Sequence, residues 1–207
     1  MLILCDFDGT LVEHDITNII WDHYLGPDWR ERLLPPFRAG NITSVELMAT
    51  GYKAISASEK ELIEFARPYV KYRHGFDSFV ESCARRSWPL HVVSNGLDWY
   101  IRRFLNSKVP FHSLVAKLNG SWEVSLPANV DLKPGQDYKV FVLEKLKIQH
   151  PNLPTVFIGD GRNDFSVAKA CDRVFAVKES TLARLCAESG TDCVEFSTFD
   201  EVAEGLH

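Results

Sequence analysis

Two carboxylates, Asp6 and Asp8, follow the apolar run Leu2-Ile3-Leu4-Cys5 and precede Gly9-Thr10. A short apolar run that ends in acids and then breaks at Gly-Thr reads as a buried parallel strand. Such a strand delivers its acids to the carboxyl end, where an open α/β sheet binds ligands. Residues at i and i+2 of a regular strand face the same way, so Asp6 and Asp8 are expected to share a face. Two carboxylates that close repel unless a proton or a cation lies between them; the pair predicts a shared proton or a divalent metal. Alone, the stretch also fits a plain turn after a strand. A calcium loop is excluded, because its twelfth position falls on Thr17, where a bidentate Glu is needed, and no helix precedes it.

Two further strand ends carry polar groups. Pro89 to Val93 reads as a strand running into Ser94-Asn95-Gly96, and Thr155 to Ile158 as one running into Gly159-Asp160-Gly161-Arg162-Asn163-Asp164. If the three strands are neighbours in a parallel sheet, all three ends converge on one crevice. The glycines beside them, Gly9, Gly96, Gly159 and Gly161, let backbone N–H groups approach an anion closely. Taken singly, Ser94 and Asn95 fit a turn, Lys139 a solvated lysine and Asp164 a helix cap. The three polar strand ends, in this order, are what point to one site. The histidines and the five scattered cysteines show no ligand spacing.

The elements that must position these residues follow from periodicity. Leu11 to Gly75 holds no strand-like run and reads as several amphipathic helices. One begins at Asp15-Ile16, one follows Asp28, one opens with the capping box Thr43-Ser44-Val45-Glu46, and one starts at Ala57 or Ser58 and stops before Pro68. From Gly75 onward strands and helices alternate: helices Phe76–Ser87, Leu97–Leu105, Gln136–Lys147, Phe165–Ala170 and Thr181–Ser189, with strands between them and a last helix from Phe199. Leu114 to Leu126 reads as a β-hairpin with Asn119-Gly120 as a type I′ turn. The alternation predicts an α/β fold, a doubly wound and mostly parallel sheet with a helical insertion after its first strand.

Asp6-Phe7-Asp8-Gly9-Thr10, Ser94, Lys139 and Gly159 to Asp164 resemble the four ordered motifs of the haloacid dehalogenase-like superfamily, spanning nearly the whole chain. The resemblance implies a Rossmann-like core of residues 1–13 and 75–207, with residues 14–74 forming a C1-type helical cap. It implies Asp6 as the nucleophile forming an aspartyl-phosphate and Asp8 as the general acid and base. Gly9, Ser94, Asn95 and Lys139 would hold the phosphate, and Asp6, Asp160 and the backbone carbonyl of Asp8 would bind Mg²⁺, with Asn163 and Asp164 behind them. Lys133 is a second candidate for the phosphate lysine; the helix after Lys139 and its distance from Asp160 favour Lys139. Asn95 stands where many relatives have Gly. Dehalogenases of the superfamily lack the second acid and its P-type ATPases carry Lys there, so Asp8 points to phosphate esters.

The insertion resembles the cap of the phosphoserine phosphatase-like branch, which implies a small phosphate ester as substrate. The methionine-salvage methylthiopentenyl phosphate ranks first, phosphocholine or phosphoethanolamine second and phosphoserine third, with Asp15 standing where phosphoserine phosphatases carry Glu. A phosphomutase and a non-catalytic Mg²⁺-binding module are the rival readings.

Composition bounds the rest. At 207 residues, 45% hydrophobic and 12% aromatic, the chain can bury one sizeable core with a smaller module beside it. Its net charge of −5 provides no basic field for nucleic acid or an anionic membrane, so an anionic ligand must be met by local groups. The cysteine pattern and the lack of a leader or long apolar run lead to the expectation of a cytoplasmic protein; its oligomeric state, monomer or homodimer, is left open by the sequence.

Overall fold

The computed structural model describes residues 1–105 and 109–206. Its centre is β1 (Leu2–Cys5), buried along its whole length because parallel neighbours flank it and helices cover both faces. The other strands are β2 (Leu90–Leu97), β3 (Phe111–Asn119), β4 (Ser121–Ser125), β5 (Thr155–Gly159), β6 (Arg173–Val177) and β7 (Val194–Phe196), in the order β4-β3-β2-β1-β5-β6-β7. All pairings are parallel except β3 with β4. The sheet is doubly wound, and the three polar strand ends lie on its three central strands.

Four helices separate β1 from the rest of the sheet: α1 (Ile16–Tyr24), α2 (Trp29–Arg38), α3 (Ser44–Lys53) and α4 (Glu59–Ala66). Local chemistry starts each of three. Asp15 accepts the Asn18 N–H at 2.8 Å, and Thr43 with Glu46 and Ser58 with Glu61 form capping boxes. The chain leaves and returns through adjoining segments, with a bridge between Val12 and Tyr72 and hydrogen bonds from Glu13 N to Lys71 O and Arg73 N to Leu11 O. The sheet then carries α5 (Phe76–Arg85), α6 (Asp98–Phe104), α7 (Tyr138–Gln149), α8 (Phe165–Ala168), α9 (Thr181–Ser189) and α10 (Phe199–Gly205). Among the described residues no helix is long and apolar enough to cross a membrane.

Three local expectations change. The hairpin is not a type I′ turn: Leu118 faces Trp122 and Asn119 faces Ser121, which centres the turn on Gly120. Type I′ needs positive φ at both central residues, and Asn119 is not among the described residues with positive φ. Strand β2 does not stop at Val93 but runs to Leu97, with its register against β3 shifting between those residues. Helix α7 starts at Tyr138, because the Asp137 carboxylate accepts the N–H groups of Lys139 and Val140 and so fixes the cap.

The β3–β4 hairpin also meets the inserted helices. Trp122 on β4 donates its indole N–H to Ala57 O at 2.9 Å, and the Tyr52 ring of α3 lies 6.3 Å from that of Trp122 and 6.5 Å from that of Trp99.

At the opposite end of β2, His91 Nδ1 lies 3.2 Å from His112 Nε2, with the His150 ring 6.4 Å away. Burial first, then the neighbouring His112 and His150, pushes His91 down to about 4. An unfolded histidine titrates near about 6.5. The unfolded chain therefore takes up this proton first as pH falls, so the stability is complete above that value and drains away toward pH 4. Screening at these half-buried rings holds the effect to about 1 kcal/mol. His91→Gln is expected to flatten the fall in urea midpoint between pH 7 and pH 5; a fall as steep as wild type would refute the assignment.

Candidate active site

Strand β1 ends at Cys5, but the chain stays paired one residue further, with Asp6 N donating to Ile158 O at 2.9 Å. That places the Asp6 carboxylate at the mouth of the sheet, where Lys139 from α7 reaches it at 2.7 Å. Lys139 Nζ also lies 2.5 Å from Asp164 Oδ1, and the ammonium is buried between the two acids. Asp164 Oδ2 accepts the N–H groups of Asp160 and Gly161 at 2.9 and 2.8 Å, so both oxygens of this fully buried carboxylate are engaged from within the protein. Asp160 Oδ1 accepts the Thr10 hydroxyl at 2.8 Å.

Asp8 lines the same cavity as Asp6, although the strand has ended and the backbone turns through Gly9 at φ +75°. The Asp8 carboxylate accepts the Ile16 N–H at 2.9 Å and the Tyr100 hydroxyl at 2.6 Å. Tyr100 in turn lies 3.3 Å from the Thr17 hydroxyl, which is 3.3 Å from that of Tyr52. One polar chain thus links Asp8 to α6, α1 and α3. Two glycines make room for these acids. A Cβ on Gly9 would sit 2.5 Å from Asp160 Oδ2, and one on Gly96 would overlap the Tyr100 hydroxyl and come within 2.6 Å of Asp8 Oδ2.

Charge is the controlling quantity. Asp6, Asp160 and Asp164 each offer an oxygen within 4.8 Å of the others, against one lysine. Burial, then the charge of Asp164, raises Asp6 to about 7 despite the pull of Lys139. Burial, then Asp164 and Asp6, raises Asp160 to about 8. Asp8 is pushed well above the usual carboxylate range by burial and then by Asp15, with the Tyr100 hydroxyl opposing. For Lys139 burial acts downward, and attraction to Asp164 and Asp6 overcomes it, so the ammonium stays charged. An all-oxygen donor set with excess negative charge fits a hard divalent cation such as Mg²⁺. Since Asp164 is already engaged, Asp6 and Asp160 are the carboxylates left to bind it.

These groups form the floor of a cavity of about 660 Å³. Ser94, Asn95, Gly96 and Asn163 line it, as does Asp15, whose carboxylate also caps α1. The inserted helices supply an apolar wall of Trp21, Trp29, Leu34, Phe37, Leu47 and Met48. Arg30, Arg38, Arg162 and Arg184 line it too, Arg30 paired with Asp22 and Arg184 with Glu188. Of the expected phosphate-loop groups, Gly9 N–H is turned to His14 O at 3.3 Å and Gly96 N–H to Ser94 Oγ at 2.9 Å. Lys133 is exposed and away from the cavity; it is its backbone N–H that is bonded, to Gln136 Oε1.

Two residues of the assembly were not foreseen from sequence. Tyr100 holds Asp8, and Arg73 donates to the carbonyl oxygens of Thr10 and Gly9 at 2.8 and 2.7 Å, pinning the turn after β1. Arg73 carries no local signal beyond its place where the chain returns from the insertion. Tyr100 follows Gly96 by four residues, across the end of β2 and into α6, a spacing that becomes informative once the need for glycine is known.

A family model described as haloacid dehalogenase-like hydrolase matches residues 3–169. A Geobacillus kaustophilus protein named 2-hydroxy-3-keto-5-methylthiopentenyl-1-phosphate phosphatase is 30% identical over 216 residues, covering 100% of this chain and 95% of that protein. A Bacillus velezensis protein of the same name is 28% identical, covering 99% of this chain and 89% of its own. Among solved structures, a phosphoserine phosphatase carrying an analogue of its phospho-aspartyl intermediate superposes with a TM-score of 0.74 at 20% identity, over 98% of this chain and 97% of that one. The family model runs through the polar ends of β1, β2 and β5, and the relatives match over nearly their whole length: the chain belongs to the haloacid dehalogenase-like hydrolase family and is a phosphatase within it.

Proposed function

We propose that the chain hydrolyses a small phosphate monoester with an apolar tail, by way of a phosphoryl group carried on Asp6. The observation that carries this reading is the buried Lys139 held between Asp6 and Asp164 at the floor of the cavity. Asp6 attacks phosphorus, the bond to the leaving oxygen breaks, and Asp8 gives that oxygen its proton. Water then attacks the phosphorus of the acyl phosphate, Asp8 takes the water's proton, and phosphate leaves with Asp6 restored as carboxylate. The raised affinity of Asp8 for a proton suits both roles, and Ile16 N–H with Tyr100 fix its direction. Lys139 and Ser94 hold phosphate oxygens, with the backbone of Asn95 and the side chain of Asn163 beside them. Asp6, Asp160 and the Asp8 carbonyl hold Mg²⁺, which when bound supplies positive charge against the repulsion between a carboxylate and a phosphate dianion.

Residues 14–74 act as a cap on a core of residues 1–13 and 75–207. The adjoining crossings at Val12 and Tyr72, and the apolar wall the helices place over the acids, support that division. A cap here excludes water and selects the ester. The free cysteines and the relatives named for a small phosphate ester support a cytoplasmic enzyme of small-molecule metabolism.

For the substrate, the methylthiopentenyl phosphate named for the relatives ranks first, phosphocholine or phosphoethanolamine second and phosphoserine third. The wall of Trp29, Leu34, Phe37, Leu47 and Met48 suits a methylthio tail. Asp15 already accepts a backbone N–H as the cap of α1, which leaves it less free to meet a substrate amine. Comparison of kcat/KM for these esters with Mg²⁺ and with chelator tests the reading. The expected result is metal-dependent release of phosphate, with phosphoserine worst. Phosphoserine best by tenfold, about 1.4 kcal/mol, would overturn the ranking, and no hydrolysis of any ester would overturn the reading itself.

A further inference from the structure

Buried polar groups that find no partner in a folded chain are uncommon, because leaving one unmade costs the desolvation of that group. Among the described residues, Asn95 is 8% exposed, yet neither its Oδ1 nor its Nδ2 meets a donor or an acceptor. The indole N–H of Trp21, 1% exposed, is likewise unpaired. Both residues line the cavity, Asn95 from the end of β2 and Trp21 from α1 in the insertion. Trp99 Nε1 is also unpaired, but Trp99 does not line the cavity and so does not meet a ligand bound there.

From these groups we infer that Asn95 and Trp21 determine specificity by reading oxygens on the carbon chain of the ester, close to the phosphorylated carbon. The inference rests on the proposed phosphatase activity and narrows its substrate class to phosphate esters that carry a hydroxyl and a second oxygen on the carbons beside the phosphorylated one. Asn95 offers one acceptor and an amino group, and Trp21 offers one donor. A hydroxyl meets the Asn95 carbonyl oxygen by donating to it, and a carbonyl or second hydroxyl oxygen accepts from Asn95 Nδ2 or Trp21 Nε1. Since both ends of the amide are unpaired, the match does not depend on which end is oxygen. A site built to bond substrate oxygens discriminates strongly against an analogue without them, because its own polar groups are then left buried and unpaired. An apolar wall alone discriminates weakly. The cavity thus reads the two ends of its ligand differently, the oxygenated end by hydrogen bonds and the tail by contact with Leu34, Phe37 and Met48.

The test uses two three-carbon esters with the full-length chain: dihydroxyacetone phosphate, which has a ketone and a hydroxyl, and n-propyl phosphate, which has neither. Wild type is expected to favour the oxygenated ester by at least about 100-fold in kcat/KM, against about 10⁴–10⁵ for sites fully built to bond substrate oxygens. Asn95→Leu is expected to bring that ratio within about fivefold of one, and Trp21→Phe, which keeps an aromatic ring and loses the donor, to lower it about tenfold. The ratio cancels any common loss from a shifted phosphate loop or from misfolded protein. A wild-type ratio near one, or a ratio unchanged in both variants, would overturn the inference while leaving the phosphatase reading intact. Failure of wild type to hydrolyse either ester while it hydrolyses an aryl phosphate would overturn the inference alone; failure on all three would overturn the phosphatase reading as well.

Discussion

Asp6→Asn is expected to lower kcat for an aryl phosphate at least about 10⁴-fold, because an amide is a poor nucleophile and removes one of the carboxylates available to Mg²⁺. The same change should not weaken the fold. With its pKa raised to about 7 by burial and by Asp164, Asp6 in the folded chain holds a proton that the unfolded chain has already released above about pH 3.9. Stability contributed by that proton is present at low pH and lost as pH rises through 7. Asn carries no such loss, so in the presence of chelator the variant should melt at or above the wild-type temperature at pH 8. Retention of substantial activity would refute covalent catalysis by Asp6. A large drop in melting temperature would show that Asp6 serves the fold, contrary to the charge argument.

Lys139→Met is expected to cost activity about 10³-fold or more, whereas Lys133→Ala should stay within about twofold of wild type. Lys139 is 1% exposed and holds Asp6 and Asp164 at 2.7 and 2.5 Å. Breaking a buried pair of this kind by removing one partner costs about 3–5 kcal/mol, since the remaining charges are left uncompensated. Methionine fills the space of the lysine stem, so circular dichroism can confirm a folded variant before its rate is measured. Lys133 lies on an exposed turn with its ammonium in water. The reverse ranking of the two lysines would move the phosphate contact upstream of α7 and remove the basis for placing Lys139 at the site.

The same two lysines show what the sequence carried and what it did not. Lys139 could be preferred over Lys133 because an apolar, helix-forming stretch follows it, and α7 does begin one residue before it. The acids at the ends of β1 and β5 were legible for a similar reason: in an α/β fold, an apolar strand that stops at polar groups delivers them to the crevice where ligands bind. Asp8 was legible as a group of the same crevice, and its hydrogen-bond partners were not. The i, i+2 rule holds only while a strand continues, and β1 ends at Cys5, so the direction of Asp8 is set by Ile16 and Tyr100. Tyr100 is 92 residues from Asp8, and no local pattern records such a contact. The hairpin shows the converse case, where the pair Asn119-Gly120 suits a type I′ turn but the pairing across β3 and β4 shifts the turn onto Gly120.

The meeting of the hairpin with the inserted helices bears on how the enzyme can be cut down. Strand β4 is the last of the sheet on its side, and its far edge would offer unpaired backbone groups to any passing strand. Trp122 on that strand is 2% exposed, bonded to Ala57 O and set against Tyr52 of α3. The insertion is therefore a guard for the sheet as well as a wall for the cavity. A minimal catalyst made by deleting it would lay Trp122 bare beside an open edge, and such a chain would be driven to pair with copies of itself before it met any substrate.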